Sequence, residues 1–363
     1  MKNHYCIIMA GGIGTRYWPI SRNAKPKQFL DILGMGKSFL QMTYDRFAKL
    51  IPPSQIIIVT YQQYRDLVKE QLPQLSDDQI LLEPFRKNTA PCIAYATCKL
   101  MEHDPEASAV VAPSDHLILN DSEFIHNLEA AFELADREEA LITLGIKPTR
   151  PETNFGYIQA YKSMFTDVNG HLVYKVKTFT EKPDVELAKI FVNSGEFYWN
   201  SGLFIWSLKA IYKEMDRLIP DIAGLFQKGK GIYYTDGEQA FIDNVYGTCK
   251  SLSIDYGVLE KSKQVRMFAA NFDWSDLGTW ESYYIQKEKD NEGNVVDAPV
   301  NFLQDVKDCV VISEDKNKLV AIKRLQDYLI INTPDVLVIC PRTENTVKQL
   351  ITDISLAKEE KFL

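Results

Sequence analysis

Five short apolar runs, each separated from the next by a helix-patterned stretch, constrain this chain more than any other feature. They are residues 5–10, 55–60, 80–82, 108–112 and 140–145. Each is apolar on both faces and of strand length, the pattern of strands buried in a parallel sheet. Between them, Ser38-Phe39-Leu40-Gln41 forms a capping box that opens a helix to about residue 50. A second helix spans 64–72 and stops at Pro73. Thr89 is placed to cap a third, with Pro91 in its first turn, and a fourth runs over 121–137. Such β-α alternation predicts a Rossmann-like α/β fold: a mixed, mainly parallel sheet flanked by helices, with ligands beyond the C-terminal strand ends.

The first strand runs into Ala10-Gly11-Gly12-Ile13-Gly14-Thr15-Arg16, followed by Pro26-Lys27-Gln28. Glycines let backbone N–H groups approach an anion, and a loop of this kind after a strand suits phosphate. Arg16 and Lys27 are placed to neutralise charge on a reacting polyphosphate. A P-loop would need Lys-Ser/Thr after its last glycine, where Thr15-Arg16 stands. A dinucleotide fingerprint would open a helix here, and Trp18, Pro19 and Pro26 interrupt one. A Gly-rich turn with solvated charges explains this segment equally well when it is taken alone.

The balance of charges narrows the ligand. A net charge of −8 over 363 residues argues against a nucleic-acid partner, which normally meets a basic surface. No apolar run approaches the roughly 20 residues of a membrane span, and the N-terminus lacks a signal-peptide pattern. Six scattered cysteines without a Cys-x-x-Cys pair read as buried thiols, so a cytoplasmic protein is expected.

Beyond Pro151 the strands lengthen, the clearest covering 157–161, 172–179 and 203–206, with a helix over 184–193 ending before Gly195. After the polar run 287–294, β-branched stretches at 309–312, 319–322, 328–331 and 336–339 read as a small β-rich domain, and a helix over 346–356 follows. Two domains are expected, 1–288 and 289–363.

Several polar residues stand where such a sheet presents groups to a ligand. Asp115 follows the central run 108–112, and Asp276 lies in a turn leading to a helix. Two carboxylates meeting over a polyphosphate could hold Mg²⁺, which prefers oxygen ligands and keeps several waters. Taken alone, each Asp is better explained as a turn residue and a helix cap. Glu181-Lys182 ends a strand, where Lys182 could grip a phosphate while Glu181 accepts sugar hydroxyls; a solvated ion pair is the plainer alternative. Asn200 sits among bulky apolar residues as a reader of hydroxyls or as an amide satisfying a turn. Gly156 permits close backbone approach. Glu83, before Arg86 and Asn88-Thr89, could accept the N1–H and N2–H₂ edge of guanine, which adenine lacks, or pair with Arg86.

Taken in order, these blocks resemble the sugar nucleotidyltransferases. The matching stretches are Gly11-Gly12-Ile13-Gly14-Thr15-Arg16-Tyr17-Trp18-Pro19, Pro26-Lys27-Gln28-Phe29, Glu83-Pro84, Lys87-Asn88-Thr89-Ala90-Pro91 and Pro113-Ser114-Asp115-His116. Phe179-Thr180-Glu181-Lys182-Pro183, Trp199-Asn200-Ser201-Gly202, Ser253-Ile254-Asp255-Tyr256 and Trp274-Ser275-Asp276 complete the set. The Asn-Thr-Ala-Pro and Ser-Ile-Asp-Tyr blocks resemble the guanylyl-transferring branch. The resemblance implies transfer of GMP from GTP to mannose 1-phosphate, with release of pyrophosphate and Mg²⁺ as cofactor. It implies nucleotide binding by Gly11, Gly12, Gly14 and Thr15, with Glu83, Asn88 and Thr89 at the base, and Arg16 and Lys27 on the triphosphate. Asp115 and Asp276 match the metal ligands, while Gly156, Glu181, Lys182 and Asn200 fall at the sugar phosphate.

The tail resembles the family's β-helix-like domain, which often takes part in homodimer contacts. Tyr17, Thr180 and Leu203 depart from relatives in ways that resemble packing changes. The chain ends without room for the isomerase domain of longer bifunctional relatives, so guanylyl transfer alone is expected. A relative using another base or sugar remains open, with Glu83 as the discriminating residue. A non-catalytic nucleotide-sugar sensor could dispense with Lys27, Asp115 or Asp276, and all three are present.

Overall fold

The computed structural model describes residues 3–362, apart from the side chains of Thr15, Glu344, Asn345 and Glu360. The chain forms two compact units that are not contiguous in sequence. One contains the residues up to Gly11 together with Leu40–Trp274; the other joins Gly12–Phe39 to the chain from Ser275 onward.

The first unit is built on a nine-stranded sheet. Its strands are β1 (His4–Met9), β2 (Ile56–Tyr61), β3 (Ile80–Glu83) and β4 (Ser108–Pro113); a two-residue β5 (Leu117–Ile118) stands outside it. They continue with β6 (Leu141–Ile146), β7 (Gly156–Val168), β8 (His171–Glu181), β9 (Phe197–Ser207) and β10 (Val265–Ala270). The order is β3-β2-β1-β4-β9-β6-β10-β8-β7. β1 pairs in parallel with β2 and β4, β2 with β3, and β6 with β10. β9 runs antiparallel between β4 and β6, and β8 antiparallel to β10 and β7. β1, β2, β3, β4, β6 and β10 therefore share one direction, and their C-terminal ends lie along one edge.

Helices α1 (Phe39–Phe47), α2 (Arg65–Gln71), α3 (Thr89–His103), α4 (Asp121–Arg137) and α5 (Val185–Ser194) follow the expected pattern closely. α4 is capped by Asn120 and α5 by Asp184, and Gly195 closes α5 in the left-handed region at φ 68°. The third helix differs in its cap: the Asn88 side chain accepts the Thr89 N–H at φ 69°, while Thr89 Oγ1 accepts the Ile254 N–H at 2.8 Å. Asparagine tolerates a positive φ far better than threonine, whose Cβ is branched. Three further helices, α6 (Leu208–Leu218), α7 (Pro220–Gln227) and α8 (Glu238–Thr248), pack with α3 in the main core around Trp206, Ile211, Phe226 and Tyr246.

In the second unit, α9 (Trp280–Gln286) follows the short β11 (Trp274–Ser275), at which the first unit ends and the second resumes. Then come β12 (Val295–Asp297), β13 (Asn301–Lys307), β14 (Val310–Ser313), β15 (Val320–Gln326), β16 (Tyr328–Asn332), β17 (Leu337–Pro341) and α10 (Glu344–Leu356). From β12 to β16, successive strands alternate between two sheets, and β17 adds antiparallel to β16. β12, β14 and β16 pair in parallel, and so do β13 and β15, as in a coil of a β-helix. Ala298, Val306, Cys309, Val311 and Ile330 fill the space between them. The other face of the larger sheet packs Val310, Ile331 and Val338 against Tyr17, Trp18, Trp280 and Val347. Those rings hold the Gly12–Phe39 segment in this unit.

Candidate active site

In the first unit the candidate residues gather along the edge where the parallel strands end. Gly11 follows β1, Glu83 is the last residue of β3, and Asp115 lies two residues beyond β4. Glu83 Oε2 stands 3.0 Å from the point a Cβ on Gly11 would occupy, so any side chain there would crowd the carboxylate. Glu83 is 7 % exposed, and its Oε1 accepts the Tyr246 hydroxyl at 2.8 Å. Burial pushes its carboxyl up to about 7, with the Tyr246 hydrogen bond and the Arg86 charge opposing. Arg86 turns toward aromatic partners: its guanidinium lies 4.1 Å from the Tyr61 ring centroid and donates to Tyr64 Oη. The segment 252–254 is tied to the start of α3, since Leu252 donates to Lys87 O, Ala90 to Leu252 O and Ile254 to Thr89 Oγ1.

Asp115 is flanked by His116, whose Nε2 lies 4.0 Å from Asp115 Oδ1. His116 Nδ1 accepts the Trp274 indole N–H at 3.3 Å, an arrangement that leaves the proton on Nε2, facing the carboxylate. Phe155 packs edge-on against both Trp199 and Trp274.

Gly156, Glu181 and Asn200 meet further along this edge. A Cβ on Gly156 would fall 2.5 Å from Glu181 Oε2 and 3.4 Å from Asn200 Cβ, so the close approach requires glycine. Asn200 pairs with Gly145 at the end of β6, and its Oδ1 accepts from Thr143 Oγ1 and Gly202 N. Its Nδ2 donates to Asp255 Oδ1 at 2.8 Å. The amide thus satisfies a turn, as one of its two readings expects, and it also orients the Asp255 carboxylate. Asp255 opens the one-turn π-helix Asp255–Leu259, and burial together with the Glu181 charge pushes its carboxyl up to about 6. Lys182 Nζ lies 3.3 Å from Glu181 Oε1, with more than half of its side chain exposed. Its backbone, at φ 47°, is held by the bond from Lys182 N to Phe155 O.

The second unit brings together Gly12, Gly14, Arg16, Lys27 and Asp276. The loop folds as two 3₁₀ turns, Thr15–Tyr17 and Lys27–Phe29, in keeping with its prolines. Gln28 Nε2 donates to Gly12 O at 2.8 Å, and Gly14 lies at φ 63° against the Lys27 backbone. Lys27 is 3 % exposed; its ammonium donates to Asp276 O at 2.7 Å and lies 5.1 Å from the Phe39 ring centroid. Arg16 NH1 stands 4.0 Å from Asp276 Oδ2, while Asp276 Oδ1 accepts the Gly278 N–H at 2.9 Å. Thr15's side chain lies outside the described residues.

Among the described residues no cluster of three or more His, Cys, Asp or Glu side chains is placed to hold a metal ion. Nucleotidyltransferases generally use a divalent ion. Asp115 and Asp276 each carry carboxylate oxygens that remain partly exposed, the donor type such an ion prefers. A hard cation that keeps several waters needs few protein ligands. All six cysteines are buried and free. Among the described residues no helix is long and apolar enough to cross a membrane.

The sequence reading gave no role to Tyr246 or Asp255. Asp255 lies in the Ser253-Ile254-Asp255-Tyr256 stretch, but its Asn200 partner depends on β9. Tyr246 carries no local signal, because its partner lies 163 positions away.

The profile of the nucleotidyl transferase family matches residues 5–293. The chain is 35% identical over 98% of its length to a mannose-1-phosphate guanylyltransferase of Escherichia coli, covering 77% of that protein. It is 36% identical over 93% of its length to one from Klebsiella pneumoniae, covering 70% of it. A solved structure from Thermus thermophilus, described as a mannose-1-phosphate geranyltransferase, superposes with a TM-score of 0.85 at 27% identity. That match covers 98% of this chain and all of the other.

Proposed function

The chain belongs to the nucleotidyl transferase family, and from that premise we propose that it transfers GMP from GTP to mannose 1-phosphate, releasing pyrophosphate. The observation that carries this reading is the similarity, over nearly the whole chain, to proteins named for that reaction. The residues along the sheet edge support it chemically. A buried carboxylate at Glu83 suits the two N–H donors of guanine, and the Gly156–Glu181–Asn200 group offers acceptors to sugar hydroxyls.

In this reading a phosphate oxygen of mannose 1-phosphate attacks the α-phosphorus of GTP in line. The bond from that phosphorus to the β-bridging oxygen breaks, and pyrophosphate takes the electron pair. No strong general base is required, because the second pKa of a phosphate monoester is about 6. The obstacle is the approach of two anions. Arg16 and Lys27 are assigned to the triphosphate, and backbone N–H groups of Gly11, Gly12 and Gly14 to its oxygens. Lys27 suits that task as an ammonium already anchored on Asp276 O. Asn88 and Thr89 shape the base end, and Lys182 takes the phosphate of the sugar. Asp115 and Asp276 are assigned to Mg²⁺, which when bound would supply positive charge to the phosphate oxygens.

Pyrophosphate release measured with GTP, ATP, UTP and dTTP against several hexose 1-phosphates, with and without Mg²⁺, tests the reading. GTP with mannose 1-phosphate should be turned over fastest, and only with the metal. Preference for another nucleotide or hexose would overturn it. The same reading includes a cytoplasmic location, the 1–288 and 289–363 domain boundary, and a homodimer through the C-terminal strands. Sedimentation giving a monomer at micromolar concentration would remove the homodimer.

A further inference from the structure

We propose that Tyr246 is a positioning residue for nucleobase selection, its buried hydroxyl fixing the plane of the Glu83 carboxylate so that the remaining acceptor sites meet the base. The inference rests on the reading of Glu83 as the group that recognises guanine.

Tyr246 comes from α8, 163 positions from Glu83 at the end of β3, and is fully buried. Its ring packs edge-on against Phe226 at 5.7 Å between centroids, which leaves the hydroxyl little freedom to swing. The hydroxyl donates to Glu83 Oε1, while Oε2 faces Gly11 at the end of β1. A carboxylate has about four acceptor sites, and its two oxygens reach both N–H groups of guanine only when its plane matches that of the base. An unanchored carboxylate would rotate about its Cγ–Cδ bond; with one site held by Tyr246, the others remain in a fixed plane.

The hydroxyl has a second effect. Burial favours the neutral form of Glu83, opposed by Tyr246 from α8 and Arg86 from the loop after β3, and the Cys92 thiol of α3 in turn feels the Glu83 charge. Of these, the Tyr246 hydrogen bond is the largest influence favouring the ionised form. A protonated carboxyl would place a donor against a donor at guanine N1. The same hydroxyl therefore sets the geometry and the charge of the reader.

Tyr246→Phe removes one oxygen and keeps the ring. Hydrogen bonds to charged groups are among the stronger ones, so the KM for GTP should rise about tenfold at pH 7. The value of kcat and the KM for mannose 1-phosphate should hold. The pH below which the GTP KM climbs should also move upward. KM does not depend on how much enzyme is folded, so lost yield cannot imitate the shift. Tyr95→Phe serves as control, since its buried hydroxyl donates to Glu238 in the same core.

The Glu83→Gln background separates the two layers of the claim. If Tyr246 acts through Glu83, adding Tyr246→Phe to Glu83→Gln should change the GTP KM no further. An unchanged GTP-to-ATP preference in Glu83→Gln alone would sink the guanine reading itself. Lost preference in Glu83→Gln with a wild-type pH profile in Tyr246→Phe would overturn the role of Tyr246. So would an equal KM shift in Tyr95→Phe.

Discussion

Replacing Glu83 by glutamine should make the stability of this protein less dependent on pH, by an amount that follows from where the carboxyl sits. Glu83 is 7 % exposed, and burial lifts it from 4.5 to about 7. In the unfolded chain it returns to the ordinary value. Between those two values the folded state keeps a proton that the unfolded state has released, so folding stability falls as pH rises through the window and levels off above about 7. A gap of about 2.5 pH units corresponds to about 3 kcal/mol at 1.36 kcal/mol per unit. Glutamine does not titrate. Its extra N–H₂ leaves a fixed cost of about 1–3 kcal/mol if unpaired, but that cost does not vary with pH. Urea unfolding of both proteins at pH 5, 6, 7 and 8, without nucleotide, measures the difference. Relative to wild type, Glu83→Gln should gain about 2–3 kcal/mol between pH 5 and pH 8, since part of the window below pH 5 is not sampled. A difference that stays flat would show that the carboxylate is not held as an uncompensated buried charge, and the argument for Glu83 would fail with it. The expected gain also states a trade-off, since the wild-type chain tolerates a destabilising carboxylate at the position proposed to read the base.

Two further substitutions probe the remaining parts of the site. Asp276→Asn keeps an oxygen for the Gly278 N–H, so the melting temperature should hold while turnover drops by about 10²-fold or more; a near-normal rate at saturating Mg²⁺ would remove Asp276 from the metal role. Gly156→Ala would drive a methyl into the Glu181 carboxylate, and the KM for mannose 1-phosphate should rise about tenfold with the GTP KM unchanged; equal effects on both substrates would argue for a general distortion of β7 instead.

Much of the fold was legible because its signals are local. The runs that became β1, β2, β4 and β6 are mainly apolar on both faces, and burial on both faces favours that. Asp121–Arg137 and the Gly195 stop follow from capping chemistry a few residues long. β13 escaped notice because only Val306 of its seven residues is buried, leaving Asn301, Gln304, Asp305 and Lys307 without alternation. α6 carried a readable signal in Ser207 followed by Leu208, Ile211 and Met215 at helical spacing. The grouping of Gly12–Phe39 with the C-terminal strands had none, since it depends on Tyr17 and Trp18 packing with Trp280 and Val338.

The candidate site divides along the same line. Residue types and their order were readable, but the pairings that give them chemistry were not. Asn200 is a lone amide in the sequence; in the fold it orients Asp255, which feels the charge of Glu181, which in turn needs Gly156. Every one of these links joins residues far apart in the chain, and none leaves a trace in local spacing. The segment 252–255 shows why this matters. Its backbone is bonded to Lys87, Thr89 and Ala90 at the start of α3, and its last residue holds the Asn200 amide. One short stretch thus touches both the Glu83 side and the Asn200 side of the sheet edge. A shift of that stretch by an ångström would disturb the Glu83 and Asn200 groups together. That coupling gives a physical reason for Ser-Ile-Asp-Tyr to stand in this chain as a unit: Ile254 supplies the bond to α3, and Asp255 the bond to β9.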